Sequence, residues 1–386
     1  MATQLQSPTS DNAIAALRDV WEKDHKRLMY HVKRGKEGYN AGLENGLKRL
    51  NQYIYGTHRA RYYLIGADSG VGKTTLTDFM FFYHLWQDCK RKGIKLSLDY
   101  YSFEISEIMK KTRIASLIYW IKYKEELPSQ YMIGMIPGQT MTTQEDDRLM
   151  KVAIEVEEMF DSIHFVESPT TPVQMWNRTV QRAEQYGEVI RETSKAGQLT
   201  EITGYIPHDP TVFKMTIIDH LALTETMQGM SLKQTMDLTS VLLVRARNLF
   251  GDSCAIVQQF NAEMQGNARE SKNPMAYVPA RVDFGDSRYT YRDADIVLGL
   301  TKPVDFQLNE FGAFKNLEKW GNYFIVNFLL KNRYGPIGGG VPYFIDPIAG
   351  IPEELPAGKH WNDLLQDMYI EKAEKLDEVC QLLSPK

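Results

Sequence analysis

Residues 61–82, RYYLIGADSGVGKTTLTDFMFF, decide the fold. Tyr62 to Ile65 are aromatic and aliphatic without a break, which predicts a short buried strand. Ala67, Asp68, Ser69, Gly70, Val71, Gly72, Lys73, Thr74 and Thr75 follow and match a phosphate-binding loop, with alanine where the strict pattern has its first glycine. Gly70 and Gly72 permit backbone angles that side chains disfavour, so successive N–H groups can turn around a phosphate. The helix expected from Lys73 aims its positive end at the same anion. In that arrangement Lys73 reaches the β- and γ-phosphates and the Thr74 hydroxyl ligates Mg²⁺. A plain glycine turn would not need Gly-Lys-Thr-Thr between a strand and a helix. The stretch therefore implies binding of a nucleoside triphosphate with Mg²⁺.

Working outward, the composition is that of an ordinary globular protein of 386 residues, with 43% hydrophobic and 24% charged side chains. The formal charge of −4 gives no overall attraction to nucleic acid, so any such affinity must be local. Cys89, Cys254 and Cys380 fit neither a disulfide framework nor a zinc site, which suits a reducing cytoplasm. The start lacks the apolar core of a signal peptide, and no run is long enough to span a membrane.

Upstream, residues 1–40 read as an N-terminal arm with an amphipathic helix from Asp11 to Gly35. Its apolar stripe is Ile14, Leu17, Trp21, Leu28 and Val32. A second helical pattern covers Leu43 to Tyr53. Downstream, Leu96 to Phe103 predicts a strand with Glu104 at its end. A carboxylate there can activate water for attack on a γ-phosphate, although many strands end in a surface glutamate. Helices over 105–123 and 145–160, a strand over 162–166 and a helix from the PTTP at 169–172 to Tyr186 come next. Residues 187–212 form an excursion resembling a hairpin around Lys195-Ala196-Gly197. FKMTIIDHLAL then supplies an apolar strand closing on Asp219, the form of a Walker B strand whose carboxylate supports Mg²⁺. After a helix over 231–250, a strand over 254–257 ends in Gln258-Gln259-Phe260-Asn261. A polar amide there can sense a γ-phosphate or cap a loop. Residues 262–292 read as a long polar loop, functional or mobile, carrying Arg269, Lys272 and Arg281. Strands over 294–300, 323–330 and 341–345, a proline-rich connector at 347–358 and a terminal helix over 361–383 complete the chain.

Strands alternating with helices, with these markers at strand ends, imply a mostly parallel sheet flanked by helices. The ordered set resembles the ATPase domain of DnaB-type replicative helicases, within the RecA-like α/β fold. ADSGVGKTTL resembles that family's phosphate loop, SFEIS its strand ending in the catalytic glutamate (here Glu104), and TIIDHLAL its Walker B segment (here Asp219). QQFN resembles its sensor and the start of its DNA loop, aligning Gln259 with the sensing glutamine and Asn261 with the asparagine that follows. DSRYTYRDADIVLGL with KNRYGPIG resembles its closing segment, where Lys331 and Arg333 match the pair that reaches a neighbouring subunit's ATP site.

The resemblance covers about residues 40–346 and implies a RecA-like ATPase domain over 41–346, with 347–386 as a C-terminal connector and helix. It implies an ATP-hydrolysing, ring-forming and hexameric helicase. Single-stranded DNA would be its partner, bound through Asn261, Arg269, Lys272 and Arg281, and a primase or loader a further one. The expected location is the cytoplasm, the host's if the chain is phage-encoded. The family's N-terminal collar is not expected here, and the excursion at 187–212 has no counterpart in the pattern. A RecA-like recombinase and a KaiC-like switch that binds proteins share the fold and stay open at this point.

Overall fold

The computed structural model describes residues 42–136, 140–193, 200–261, 277–285 and 288–383, together with Arg18, Trp21, Glu22, His25, Lys26 and Met29. The chain divides into two units, Met1–Gly42 and Leu43–Lys386. In the first, the described residues from Arg18 to Met29 are helical and exposed, Trp21 and Met29 among them. The rest of the helix expected over 11–35, with Ile14, Leu17, Leu28 and Val32, lies outside the described residues.

The second unit is built on a nine-stranded sheet. In chain order the strands are β1 (Tyr62–Ala67), β2 (Leu96–Ser102), β3 (Ile163–Val166), β4 (Gly187–Thr193), β5 (Thr200–Pro207), β6 (Phe213–Asp219), β7 (Ser253–Gln259), β8 (Ile296–Thr301), β9 (Glu310–Phe311), β10 (Phe314–Lys315), β11 (Phe324–Asn332), β12 (Val341–Asp346) and β13 (Ile351–Glu354). β4 pairs with β5 and β9 with β10 as separate ribbons, and the rest form the sheet in the order β13-β12-β11-β8-β1-β7-β6-β2-β3. The six strands from β8 to β3 are mutually parallel, and β11, β12 and β13 extend the sheet beyond β8, each antiparallel to the strand before it. Every residue of β1 is buried, as a central parallel strand covered on both faces requires. The fold is thus α/β and RecA-like, with all parallel strands ending on one edge.

Helices pack on both faces and start at recognisable caps. Thr142, Thr171 and Ser231 each form a capping box with the third residue of their helices, Thr143–Asp161, Pro172–Tyr186 and Leu232–Phe250. Each such cap is worth about 1 kcal/mol. The expected helix over 43–53 is shorter, Lys48–Ile54, because Leu43 is drawn into an antiparallel bridge with Thr57.

The excursion contains the antiparallel pair β4 and β5, while the turn expected at Lys195-Ala196-Gly197 lies outside the described residues. The pair is fastened by a small core in which Ala183, Ala246 and Phe250 meet Trp176, Val189, Ile202 and Tyr205. Since β5 leads directly into the start of β6, the pair stands at the amino edge of the sheet, opposite the parallel strands' carboxyl ends.

Two sequence expectations are corrected. The stretch read as a connector contains β13, and the expected terminal helix, Asp363–Leu383, packs on a second aromatic core. There Trp320 and Tyr369 stack with centroids 5.5 Å apart, next to Phe324 and Phe344. The stretch read as a long loop contains a 3₁₀ turn, Arg281–Phe284, and a helix, Arg288–Asp293. Phe284 packs edge-on against Phe260 and Tyr291, and the Thr290 hydroxyl donates to Gln258 Oε1 at 2.7 Å, which ties both pieces to β7. Residues 262–276, including Arg269 and Lys272, lie outside the described residues.

One carboxyl pair sets a pH dependence. Asp346 Oδ1 accepts the N–H groups of Ile348 and Ala349, both at 2.9 Å, contacts that favour its charged form against the burial that raises its pKa. Burial and the Asp346 carboxylate push the neighbouring Glu126 carboxyl up to about 7. Between its ordinary value and about 7 the folded chain binds a proton that the unfolded chain releases, so stability falls as pH rises through that window. The thermal midpoint should fall between about pH 5 and pH 8. Glu126→Gln should flatten that slope and melt above the wild type at pH 8. Parallel slopes in the two proteins would remove the pair from the account.

Candidate active site

The carboxyl ends of β1, β2, β6 and β7 open on a cleft of about 580 Å³. Its floor is the turn after β1. Gly70 and Gly72 have φ of +72° and +96°, in the left-handed region that glycine enters without strain. At Gly72 space also matters, since a Cβ would come 2.9 Å from Ile345 Cδ1. The helix begins at Lys73 directly after Gly72, so its first N–H groups face the cleft. Ser69 to Thr75 all line the cleft.

Lys73 Nζ donates to the Asp68 carbonyl at 2.6 Å, folded back over its own loop. Burial lowers its pKa, opposed by the carboxylates of Asp219, Asp68 and Glu104. Thr74 Oγ1 donates to Asp219 Oδ1 at 3.1 Å, joining loop and β6. A hydroxyl and a carboxylate oxygen in contact at a phosphate loop are a hard donor set of the kind Mg²⁺ takes when phosphates supply further oxygens. The residues fit the metal.

Glu104 follows β2 and faces the cleft. Its Oε1 lies 3.1 Å from His220 Nε2, so the residue next to Asp219 orients the glutamate. The Asp219–His220 peptide bond is cis. Gln259, at the end of β7, lines the same cleft. The adjacent Gln258 is buried and bonded to Phe284 O and Thr290, so the two amides divide into one for the cleft and one for the fold. The cleft thus gathers Lys73, Thr74, Glu104, Asp219 and Gln259.

Other expected residues fall elsewhere. Asn261 donates its N–H to Asp283 O at 2.9 Å and closes the base of the segment that follows β7. Arg281 is exposed, its guanidinium 5.9 Å from the Tyr291 ring. Lys331 and Arg333 do not line the cleft of their own chain. Lys331 Nζ donates to the carbonyls of Tyr291 and Arg292, each at 2.8 Å, at the end of the helix Arg288–Asp293. Burial and the neighbouring Arg333 lower its pKa to about 8. Arg333 donates to Arg292 O at 2.8 Å and pairs with buried Asp295 at 3.1 Å.

Sequence reasoning missed three things. His220 adjoins the Walker carboxylate, which was its only signal. Arg113 lines the cleft from the helix Glu107–Tyr123. Behind Asp219, Lys110 is wholly buried beside Asp78 and Tyr100. Among the described residues no helix is long and apolar enough to cross a membrane.

Comparison with solved structures finds this fold in one described as an ATPase domain, with a TM-score of 0.61 and 15% identity over 91% of this chain and 100% of that one. "The Structure Of A DnaB-Like Replicative Helicase And Its Interactions With Primase" matches with a TM-score of 0.62 and 17% identity, covering 90% of this chain and 71% of that one. No family model and no curated protein matches the sequence. At these identities the likeness is one of fold, a fold shared with a domain described as an ATPase domain and with a DnaB-like replicative helicase.

Proposed function

We propose that the chain is an ATP-driven motor of the DnaB type, which assembles as a hexameric ring and moves along single-stranded DNA. The observation that carries this reading is the cleft, where Thr74 meets Asp219 under a phosphate loop and Glu104 is held by His220. Bound Mg²⁺ would neutralise charge on the β- and γ-phosphates, with Thr74 and Asp219 as its protein ligands. Lys73 leaves its carbonyl partner for the phosphates, and its charge opposes the negative charge that develops there. Glu104 Oε accepts a proton from the attacking water while His220 holds it in place. Gln259 hydrogen-bonds the γ-phosphate and couples its presence to the segment following β7.

Lys331 and Arg333 stand outside their own cleft, which supports a role in the next subunit's site. Such a site requires a head-to-tail interface. The segment from Asn261 through Arg281 would follow the DNA backbone, with Arg269 and Lys272 as further phosphate contacts. A primase or loader contact belongs to the same reading, since one neighbour of like fold is described with its interactions with primase.

Single-stranded DNA should stimulate hydrolysis. Its affinity should fall steeply with salt and differ little between homopolymers, because backbone contacts dominate. Hydrolysis that ignores DNA at low salt would favour a protein-binding switch on the same fold.

A further inference from the structure

We propose that Lys110, with Asp78 and Tyr100, is a buried positioning unit for Asp219, holding its inner oxygen so that its outer oxygen faces Thr74 and the metal. The inference rests on the ATPase reading and concerns how its metal carboxylate is aimed.

Four elements converge here. Asp78 lies one turn beyond Thr74 on the helix that follows the phosphate loop. Lys110 is on the helix Glu107–Tyr123, Tyr100 is on β2 and Asp219 ends β6. Lys110 is completely buried, and Asp78, Tyr100 and Asp219 are nearly so. A buried ammonium is tolerated only with acceptors around it. Lys110 Nζ donates to Asp78 Oδ2 at 2.8 Å and to Tyr100 Oη at 2.9 Å, and lies 3.8 Å from Asp219 Oδ2. The Tyr100 hydroxyl donates to Asp78 Oδ1 at 2.7 Å and stands 3.5 Å from that same Asp219 oxygen.

The two oxygens of Asp219 therefore have separate surroundings. Oδ2 faces the buried cation and the phenol, while Oδ1 receives the Thr74 hydroxyl. One ammonium between two carboxylates leaves a net negative charge, directed at the cleft where a divalent cation would meet it. A pair that merely fastened two helices would need Asp78 and Lys110 alone. Here the ammonium also reaches the carboxylate at the site.

Removing Lys110 alone would strand two buried carboxylates, so the test replaces the pair together. Asp78→Leu with Lys110→Met keeps similar volume and charge balance, and apolar replacement of a buried ion pair is commonly neutral or stabilising. Asp219 keeps the Thr74 hydroxyl and the Tyr100 phenol as neighbours, so the double variant should still fold. Binding of a fluorescent, non-hydrolysed ATP analogue should need about tenfold more Mg²⁺, and kcat should fall about 10–100-fold with KM for ATP little changed. Tyr100→Phe leaves the ion pair in place and should shift the Mg²⁺ midpoint the same way by less. Wild-type Mg²⁺ dependence and kcat in a folded double variant would overturn the proposal. Should the double variant not fold, an unchanged Mg²⁺ midpoint in Tyr100→Phe would do so. A wild-type chain that binds no Mg²⁺–nucleotide would overturn the ATPase reading itself and this inference with it.

Discussion

Glu104→Gln is expected to leave ATP bound and stop its cleavage, and Lys73→Ala to abolish cleavage and weaken binding. In the proposed mechanism the two side chains act at different moments. Lys73 places a point charge at the β- and γ-phosphates, a contact made in the ground state and strengthened as charge develops. Glu104 takes a proton only during attack, and an amide of the same shape cannot. Loss of a positioned general base costs about 10²–10⁴ in rate. Because an amide of the same shape can keep the 3.1 Å contact with His220, the wall of the cleft should keep its shape and nucleotide affinity should change little. Single-turnover hydrolysis and equilibrium binding separate the two effects. Glu104→Gln hydrolysing ATP at the wild-type rate would remove Glu104 from the chemistry.

The second large effect concerns Arg333. Arg333→Ala should bind ATP and hydrolyse it about 10³–10⁵-fold more slowly, the value of an arginine that meets the transferring phosphoryl group. Its chain position argues for delivery in trans, since it caps the helix Arg288–Asp293 and stays out of its own cleft. The competing reading is that Arg333 serves Asp295 alone. That carboxylate, however, keeps Arg247 at 2.8 Å and the Tyr62 N–H at 2.9 Å when Arg333 is removed, so the variant should fold. Mixing Arg333→Ala with Lys73→Ala should restore part of the activity. Some interfaces then pair an intact phosphate loop with an intact arginine. Two inactive variants that co-assemble yet stay inactive at every ratio would count against a trans arginine.

What the sequence revealed divides by how chemistry constrains residue type. Gly70, Gly72, Lys73 and Thr74 must be these residues in this order to cradle a phosphate, so the loop was readable, and β1 before it was marked by its apolar run. Glu104, Asp219 and Gln259 were readable as strand ends, because a parallel sheet brings such ends to one edge. Lys110 was invisible, since a lysine in a helical pattern is ordinarily solvated and its partners lie 32 and 10 residues away. The Glu126–Asp346 pair is likewise a product of tertiary packing. β13 was hidden by Pro352, which argues against a central strand but is tolerated at a sheet edge. The helix Arg288–Asp293 is short and polar, without the periodicity that would mark it. It is held by contacts to β7 that no local pattern predicts.

On the proposed function this cleft works between subunits of a ring around one strand. The most direct test is electron microscopy of Glu104→Gln with ATP, Mg²⁺ and a single-stranded oligonucleotide, since trapped nucleotide holds the interfaces closed. Closed hexameric rings are expected, with DNA in the central channel and Arg333 of each subunit at the next subunit's γ-phosphate. Open helical filaments on the DNA, or separate monomers with nucleotide bound, would contradict this reading.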